Sequence, residues 1–165
     1  MKEQYKIIDN FLDKVSFKHI KETILSENFQ WFLSKKIALK NEKNKDNAIY
    51  FYHLIYKNNA VYSNVIKIIA PLIKKLEVKA LIRIKANLYP NQNKFIVHTP
   101  HKDHPYNHKG AIFSINTNNG YTLLENKIKI KSLANRLLLF NPSKKHSSTS
   151  CTDKRRRVNI NFNFF

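Results

Sequence analysis

Apolar and polar residues alternate with a period of two through most of the second half of the chain, which is the pattern of half-buried strands. The runs that predict strands are Leu81 to Ile84, Phe95 to His98, Ala111 to Asn116, Tyr121 to Glu125, Ile128 to Ile130, Leu137 to Phe140 and Val158 to Phe164. Turn signals such as Asn118-Asn119-Gly120 and Asn141-Pro142-Ser143 separate several of them. Many short strands at this spacing indicate a sandwich or a jelly roll.

The first half mixes strands with two amphipathic helices. Apolar residues at helical spacing predict one helix from Asp13 or Ser16, either able to cap it, to about Asn28, and a second from Ser63 to Leu76. Pro71 argues against a straight second helix. Predicted strands cover Tyr5 to Ile8, Phe29 to Leu33 and Ile49 to Tyr56, and Lys35 to Asn47 reads as a charged loop. We expect a mainly β fold with the N-terminal helices packed on one sheet.

The last predicted strand has one polar and one apolar face. Residues two apart in a strand share a face, so Arg157, Asn159, Asn161 and Asn163 fall on one side. The other side carries Val158, Ile160, Phe162 and Phe164 and should pack against the helices. By the same parity Arg156 belongs to the apolar face, and Arg155 lies further from the middle of the strand. Arg157 is therefore the candidate to hold a carboxylate bidentately.

Length, charge and cysteine content narrow the class of protein. A chain of 165 residues is expected to form one domain, residues 1–165, with a core of its own. The net charge of +19 would suit a nucleic-acid partner, but only five of the 30 basic residues are arginine. This lysine bias is what the codons of an AT-rich genome impose, so nucleic acid is not favoured. No apolar run reaches membrane-span length, and the N-terminus lacks a secretory signal.

A single cysteine, Cys151, excludes an internal disulfide and a zinc site built from cysteines alone. With no signal sequence, this fits a cytoplasmic protein. Ser147 to Ser150 precede this cysteine, but no base stands at a recognisable spacing from them. We interpret them as a structural turn, with no side-chain nucleophile.

His101, Asp103 and His146 are the candidate metal ligands. Two imidazoles and one carboxylate are the set that non-haem Fe(II) oxygenases use, with further positions left open. His101 and Asp103 are two residues apart and would share a face, and His146 follows 45 positions after His101, enough for several antiparallel strands. Arg157 comes 11 positions later. The alternative is a surface histidine cluster, since His98, His104 and His108 crowd the same segment; we predict that these three are not ligands.

These residues resemble the Fe(II)- and 2-oxoglutarate-dependent oxygenases, in the small prolyl-hydroxylase-like version frequent in marine bacteria and phages. The matching stretches are 85–89, 101–103, 116–122, 134–136, His146 with 149–153, and 157–165. The resemblance implies a double-stranded β-helix, a jelly roll with helices on one side. It implies that His101, Asp103 and His146 bind iron and that Arg157 pairs with the distal carboxylate of 2-oxoglutarate. Asn87 and Tyr89 resemble the pair with which the AlkB-like branch contacts this cosubstrate, and Asn159 matches a position that is often polar.

The reaction implied is hydroxylation of a substrate by O2, with 2-oxoglutarate converted to succinate and CO2. The pocket for that substrate is built from loops, so the sequence does not name it; protein, small molecule and nucleic acid stay open. One alternative is an AlkB-like oxidative demethylase of nucleic acid, although no lid of clustered aromatics and arginines is evident. Another is a non-catalytic basic β-domain that binds nucleic acid, its histidines being incidental.

Overall fold

The computed structural model describes residues 5–34 and 49–165, and within them two antiparallel sheets and three helices. The strands are β1 (Tyr5–Ile8), β2 (Phe32–Ser34), β3 (Tyr50–Lys57), β4 (Ala60–Val61), β5 (Leu81–Pro90), β6 (Lys109–Ser114), β7 (Tyr121–Leu124), β8 (Ile128–Lys131), β9 (Arg136–Phe140), β10 (His146–Ser148) and β11 (Arg156–Phe164). The helices are α1 (Lys14–Leu25), α2 (Val65–Ile68) and α3 (Ala70–Lys75).

The large sheet has the order β1-β9-β6-β11-β5-β3-β2, with β4 paired to β3, and the small sheet has the order β10-β7-β8. All of these strand pairs are antiparallel. Two isolated bridges, Val97 with Thr149 and His101 with His146, add the segment after β5 to the free edge of β10. The predicted jelly roll is confirmed.

The helices cover one face of the large sheet and the small sheet covers the other. On β6, Ala111 and Phe113 belong to the helix-side core, whereas Ile112 belongs to the cluster between the two sheets. On α1, Ile20 and Ile24 are fully buried in the helix-side core. This alternation follows from the two-residue period of a strand and confirms that the helices pack on one sheet.

The last strand, β11, has the two faces that its sequence predicts. Its apolar residues, Val158, Ile160, Phe162 and Phe164, all lie in the helix-side core. Arg157, Asn159 and Asn163 are also buried, on the opposite face toward the small sheet. Arg156 points to the helix side, where its Nη2 donates to the carbonyl of Leu25 at 2.8 Å. The strand buries polar groups on only one of its faces.

The helices differ from the prediction at their ends and at one break. Asp13 caps α1, because its Oδ1 accepts from the Ser16 amide at 2.9 Å, and the helix ends at Leu25 rather than near Asn28. The predicted helix from Ser63 to Leu76 is divided into α2 and α3 at Ile69. Pro71 is the physical reason, since it has no amide and is tolerated only in the first turn of a helix, where α3 places it.

Three predictions of local structure in the strands and turns were wrong, and a fourth was confirmed for a strand that is longer than predicted. The segment 95–98 has only an isolated bridge, because the Ile96 amide donates to the Ser150 side chain instead of to a strand partner. Residues 29–33 contribute only to the short β2, since the Phe29 amide closes a turn onto the Ser26 carbonyl. The strand predicted at 81–84 continues to Pro90 through its pairing with β11. Residues 147–150, predicted as a turn, begin in β10.

The loop predicted at Lys35 to Asn47 lies outside the described residues. Among the helices that are described, none combines the length and apolar character needed to span a membrane.

Candidate metal centre

Backbone pairing brings His101 and His146 together. Each amide donates to the other residue's carbonyl at 2.9 Å, so the two residues lie directly opposite each other in an antiparallel bridge. Directly opposed residues project their side chains to the same side, and the two rings have centroids 4.6 Å apart. His146 begins β10, but His101 lies at an isolated bridge and Asp103 outside any strand, so His101 and Asp103 do not share a face of a regular strand.

Both imidazoles present Nε2 to the site. The Nδ1 of His146 donates to the Lys144 carbonyl at 3.0 Å, and that of His101 to the Thr99 carbonyl at 3.4 Å. Because a carbonyl only accepts, each Nδ1 carries the proton and each Nε2 keeps its lone pair for a metal. Burial, followed by the charge of His146, lowers the pKa of His101 to about 4. His101 is therefore a neutral donor at pH 7.

Asp103 completes the set and is held by two further side chains. Its Oδ1 lies 3.7 Å from Nε2 of His101 and 3.0 Å from a guanidinium nitrogen of Arg83, and its Oδ2 accepts from Asn161 at 3.3 Å. Burial alone would raise the pKa of this carboxyl, but Arg83 and the two imidazoles outweigh it and keep the pKa well below its usual range. The group is a carboxylate at neutral pH.

The three ligand atoms lie within 4.8 Å of one another. Two ligands at about 2.1 Å from one ion can span about 4.2 Å, so small side-chain rotations would complete a coordination sphere. Within the described residues, no other group of histidine, cysteine and carboxylate side chains meets this criterion. The arrangement offers three protein ligands from one side, which leaves other positions of an ion open.

A polar cavity adjoins the three ligands. Its volume is about 30 Å³, on the order of one or two water molecules. It is lined by Asn87, Tyr89, His101, Ile112, Thr122, His146, Ser147, Ser148, Asn159 and Asn161. The Ser147 hydroxyl in its wall is buried without a hydrogen-bond partner among the described residues. Such a group is costly unless something fills the cavity and bonds to it.

Arg157 lies directly behind the cavity wall formed by Thr122 and Tyr89. The side chain is 1% exposed, its Nη2 donates to the Thr122 hydroxyl at 3.0 Å, and its Cζ lies 5.5 Å from the centroid of the Tyr89 ring. Nε donates to Ser132 and Nη1 to the Thr149 carbonyl, both neutral acceptors. Among residues 5–34 and 49–165, no carboxylate lies within ion-pair distance of this guanidinium. A buried cation without a counter-ion is a strong indication of an anionic ligand.

Asn87, Tyr89 and Asn159 all line the same cavity. The Asn87 side-chain amide donates to Asn159 Oδ1 at 3.1 Å across the pairing of β5 with β11. Tyr89 is sandwiched between the rings of Tyr50 and His98, with centroids 5.8 and 5.2 Å away. Burial raises the pKa of the Tyr89 hydroxyl, against an opposing effect of Arg157. Tyr89 is therefore a neutral hydrogen-bonding group held rigidly in the wall.

The remaining histidines of this segment are not in the metal-binding group. His98 is 2% exposed and hydrogen bonds through Nδ1 with the Ser148 hydroxyl at 2.8 Å. Burial, followed by the charge of Arg157, lowers its pKa to about 3. His108 hydrogen bonds with Asn163, and His104 stacks on Tyr106.

Several residues of the site had not been singled out from the sequence. Arg83 and Asn161 contact Asp103, and strand alternation places them on the faces that carry Asn87 and Arg157, so the two-residue period was an available signal. Thr122, Ser132 and Thr149 bind Arg157 from three separate parts of the chain. No local pattern indicates those contacts.

No protein-family model matches this sequence, and no curated protein matches it. Solved structures do match. The prolyl hydroxylase of Trichoplax adhaerens, solved with a hypoxia-inducible-factor peptide, has a TM-score of 0.73 at 16% identity over 99% of this chain and 84% of its own. A 2-oxoglutarate-Fe(II) oxygenase-family protein of Burkholderia pseudomallei has a TM-score of 0.71 at 9% identity, over 99% of this chain and 86% of its own.

The chain has the fold of the 2-oxoglutarate-Fe(II) oxygenases. The same fold is found in SnoN, a non-heme α-ketoglutarate-dependent epimerase from nogalamycin biosynthesis, with a TM-score of 0.65 at 12% identity over 98% of this chain and 77% of that one. The prolyl-hydroxylase-like scaffold of this chain is thus shared with a protein named for a different reaction.

Proposed function

We propose that this protein is an Fe(II)- and 2-oxoglutarate-dependent oxygenase that hydroxylates a primary substrate. One observation carries the proposal: His101, Asp103 and His146 lie in or beside the wall of a single polar cavity, and Arg157 is buried behind that wall. No described carboxylate pairs with this arginine. A dicarboxylate would bind with one end on the metal and the other toward Arg157. The fold shared with prolyl hydroxylases supports the same reaction class.

The protein's own residues would bind and orient the reactants. His101, Asp103 and His146 would hold the iron, and the hydrogen bonds from each Nδ1 to a carbonyl fix the imidazole orientation. Iron, 2-oxoglutarate and O2 together would supply the oxidising chemistry, with succinate and CO2 as the products of the cosubstrate.

The distal carboxylate of 2-oxoglutarate would be bound by Arg157. Asn87, Tyr89 and Asn159 would contact the same molecule, and the free Ser147 hydroxyl offers it a further polar partner. Asn87, Tyr89 and Asn159 are themselves buried, which excludes water from this end of the cavity.

The first prediction concerns iron binding. Wild-type protein mixed anaerobically with Fe(II) and 2-oxoglutarate should develop the weak visible absorbance band of a chelated complex, at one Fe(II) per chain. Asp103→Ala should abolish the band, because it removes the only carboxylate of the group.

His104→Ala is the matched control, since His104 is adjacent to Asp103 but outside the metal-binding group. It should keep the band, and wild-type protein should convert 2-oxoglutarate to succinate only with iron. A normal band in Asp103→Ala would remove Asp103 from the ligand set, and iron-independent behaviour of the wild type would refute the proposed function.

A second candidate is oxidative demethylation of nucleic acid, which the net charge of +19 favours. It predicts retention on DNA or RNA that weakens steeply with salt, and succinate production stimulated by a methylated oligonucleotide. Hydroxylation of another substrate predicts neither.

A further inference from the structure

Strand β5 carries two cations on the same face as the cosubstrate residues. Arg83 and Lys85 stand four and two positions before Asn87, so strand alternation places all three on one face. The intervening residues Ile84 and Ala86 lie in the helix-side core. Arg83 and Lys85 therefore face the side of the sheet on which the metal ligands lie.

Arg83 is only partly satisfied by the protein. One of its terminal nitrogens lies 3.0 Å from Asp103 Oδ1, but its Nε is buried without a hydrogen-bond partner among the described residues. The side chain is still 19% exposed. A guanidinium has donors in a fixed fork, so Arg83 keeps a donor that no described residue satisfies, on a side chain that is partly exposed.

Lys85 has no carboxylate of its own in the described part of the chain. Its ammonium lies 5.4 Å from the ring centroid of Tyr50, and none of the ion pairs there includes it. Burial, followed by repulsion from Arg83, lowers its pKa to about 8, and the only acid that acts on it is Asp103. Lys85 is therefore mostly charged at neutral pH, and the one carboxylate that acts on it, Asp103, is already paired with Arg83.

Charge balance shows why this pair matters once the site is loaded. The single charge of Asp103 would be neutralised by the metal dication, and the two charges of 2-oxoglutarate would be met by the remaining metal charge and Arg157. Nothing among the described residues then offsets Arg83 and Lys85. Unbalanced charge in a partly buried site is unfavourable, and an anion that enters it is bound more strongly than in water.

We propose that Arg83 and Lys85 form a subsite for an anionic group, a carboxylate or a phosphate, of the primary substrate. This inference rests on the proposed function and adds a substrate class to it. The subsite lies beside the metal ligand Asp103 and would hold the substrate by its charge. Tyr50, whose ring contacts the Lys85 ammonium, helps to position that lysine.

Anion binding to the loaded protein tests the subsite. Wild type, Lys85→Gln and Lys129→Gln are saturated anaerobically with Fe(II) and 2-oxoglutarate, and the absorbance band is recorded first. Methyl phosphate and acetate are then titrated by calorimetry at constant ionic strength, with chloride as the balancing salt. Lys129 is the matched control because its ammonium also lies over a tyrosine, 5.1 Å from the Tyr121 ring centroid, but on β8.

We expect one of the two anions to bind wild type and Lys129→Gln equally, and Lys85→Gln roughly 10- to 100-fold more weakly, as for loss of a charged hydrogen bond. Tighter methyl phosphate indicates a phosphate-bearing substrate, and tighter acetate a carboxylate. Equal binding of the anion to Lys85→Gln and wild type, or no binding to wild type, overturns the subsite. The proposed function still stands in that case if the wild type forms the absorbance band. A wild type that forms no band overturns both.

Discussion

Arg157 shows how one side chain can indicate a ligand. All three of its nitrogens donate to neutral oxygens, and no described carboxylate offsets its charge. Burial lowers the pKa of the guanidinium, yet arginine does not lose its proton in proteins. The charge is therefore kept at a cost in folding free energy, which an anionic cosubstrate would recover.

Replacing Arg157 should weaken 2-oxoglutarate binding and spare iron. Truncating one partner of a buried charged pair costs about 2 to 5 kcal/mol, roughly 30-fold to several thousand-fold in affinity. Arg157→Lys should recover only part, because it loses the planar fork. Titration of 2-oxoglutarate into the Fe(II)-loaded variants measures this, with the exposed Arg155→Ala as the control. A larger loss in Arg155→Ala than in Arg157→Ala would show that the wrong arginine has been chosen.

His98 should make the metal-free protein sensitive to acid. The pKa of His98 in the folded protein is about 3, below the ordinary value of 6.5. Between these two pH values the unfolded chain therefore binds a proton that the folded chain does not bind. The contribution of His98 to the free energy of unfolding is therefore fully present above pH 6.5 and is lost toward pH 3, with a slope of about 1.4 kcal/mol per pH unit for one such group.

His98→Gln should reduce the slope of unfolding free energy against pH by about one proton. Urea unfolding of wild type and His98→Gln at several pH values between 6.5 and 4.5 measures it. An unaltered slope in His98→Gln would mean that this imidazole does not resist protonation in the native state.

The elements around the site approach one another closely at the chain's two glycines. A Cβ at Gly120, just before β7, would lie 2.7 Å from Arg157 Cδ and 2.6 Å from the Ser150 carbonyl oxygen. A Cβ at Gly110, in β6, would lie 2.7 Å from the Pro142 ring. The Pro142 carbonyl accepts from the Asp103 amide at 2.9 Å. Each glycine thus allows the close packing that positions a different part of the site.

The two glycine-to-alanine variants should therefore weaken the binding of different ligands. Gly120→Ala should displace Arg157 and raise the dissociation constant for 2-oxoglutarate by roughly tenfold or more, the effect of about 1.4 kcal/mol of lost interaction. Gly110→Ala should act mainly on metal affinity through Pro142 and Asp103. Metal and 2-oxoglutarate titrations of both variants measure this. Parallel losses of both ligands in both variants would refute the separation.

The two faces of the large sheet contribute differently to the stability of the molecule. Among the residues that the structure describes, the helix-side core contains nineteen buried hydrophobic residues, whereas the cluster between the two sheets contains five. Polar and charged residues occupy much of the remaining space between the sheets. Hydrophobic burial therefore stabilises mainly the helix side, and ligands are expected to stabilise the site side.

Metal and cosubstrate should raise the melting temperature. A ligand at 100 times its dissociation constant adds about 2.7 kcal/mol, which for a protein of this size corresponds to roughly 5 to 10 °C. Anaerobic thermal unfolding with and without Mn(II) and 2-oxoglutarate measures the shift, and Asp103→Ala should show little of it. An equal shift in that variant would indicate metal binding elsewhere.

The sequence by itself determined the β class and the two faces of β11, and it predicted Arg157 rather than its neighbours as the arginine that binds a carboxylate. These follow from the two-residue period of a strand, which is a local property. It also predicted that His101, Asp103 and His146 belong together, and the structure places their ligand atoms within 4.8 Å. His146 lies 45 positions after His101 and meets it through a backbone bridge, so bringing the three together depends on the tertiary structure.

Only the tertiary structure decided which contacts cross between distant segments. Residues 95–98 have strand-like residues but pair by a single bridge, and β5 runs on to Pro90 because β11 extends beside it. The acceptors Thr122, Ser132 and Thr149 reach Arg157 from separate elements, and Arg83 meets Asp103 from 20 positions away. Such contacts depend on strand register and on how the two sheets face each other, which no local pattern encodes.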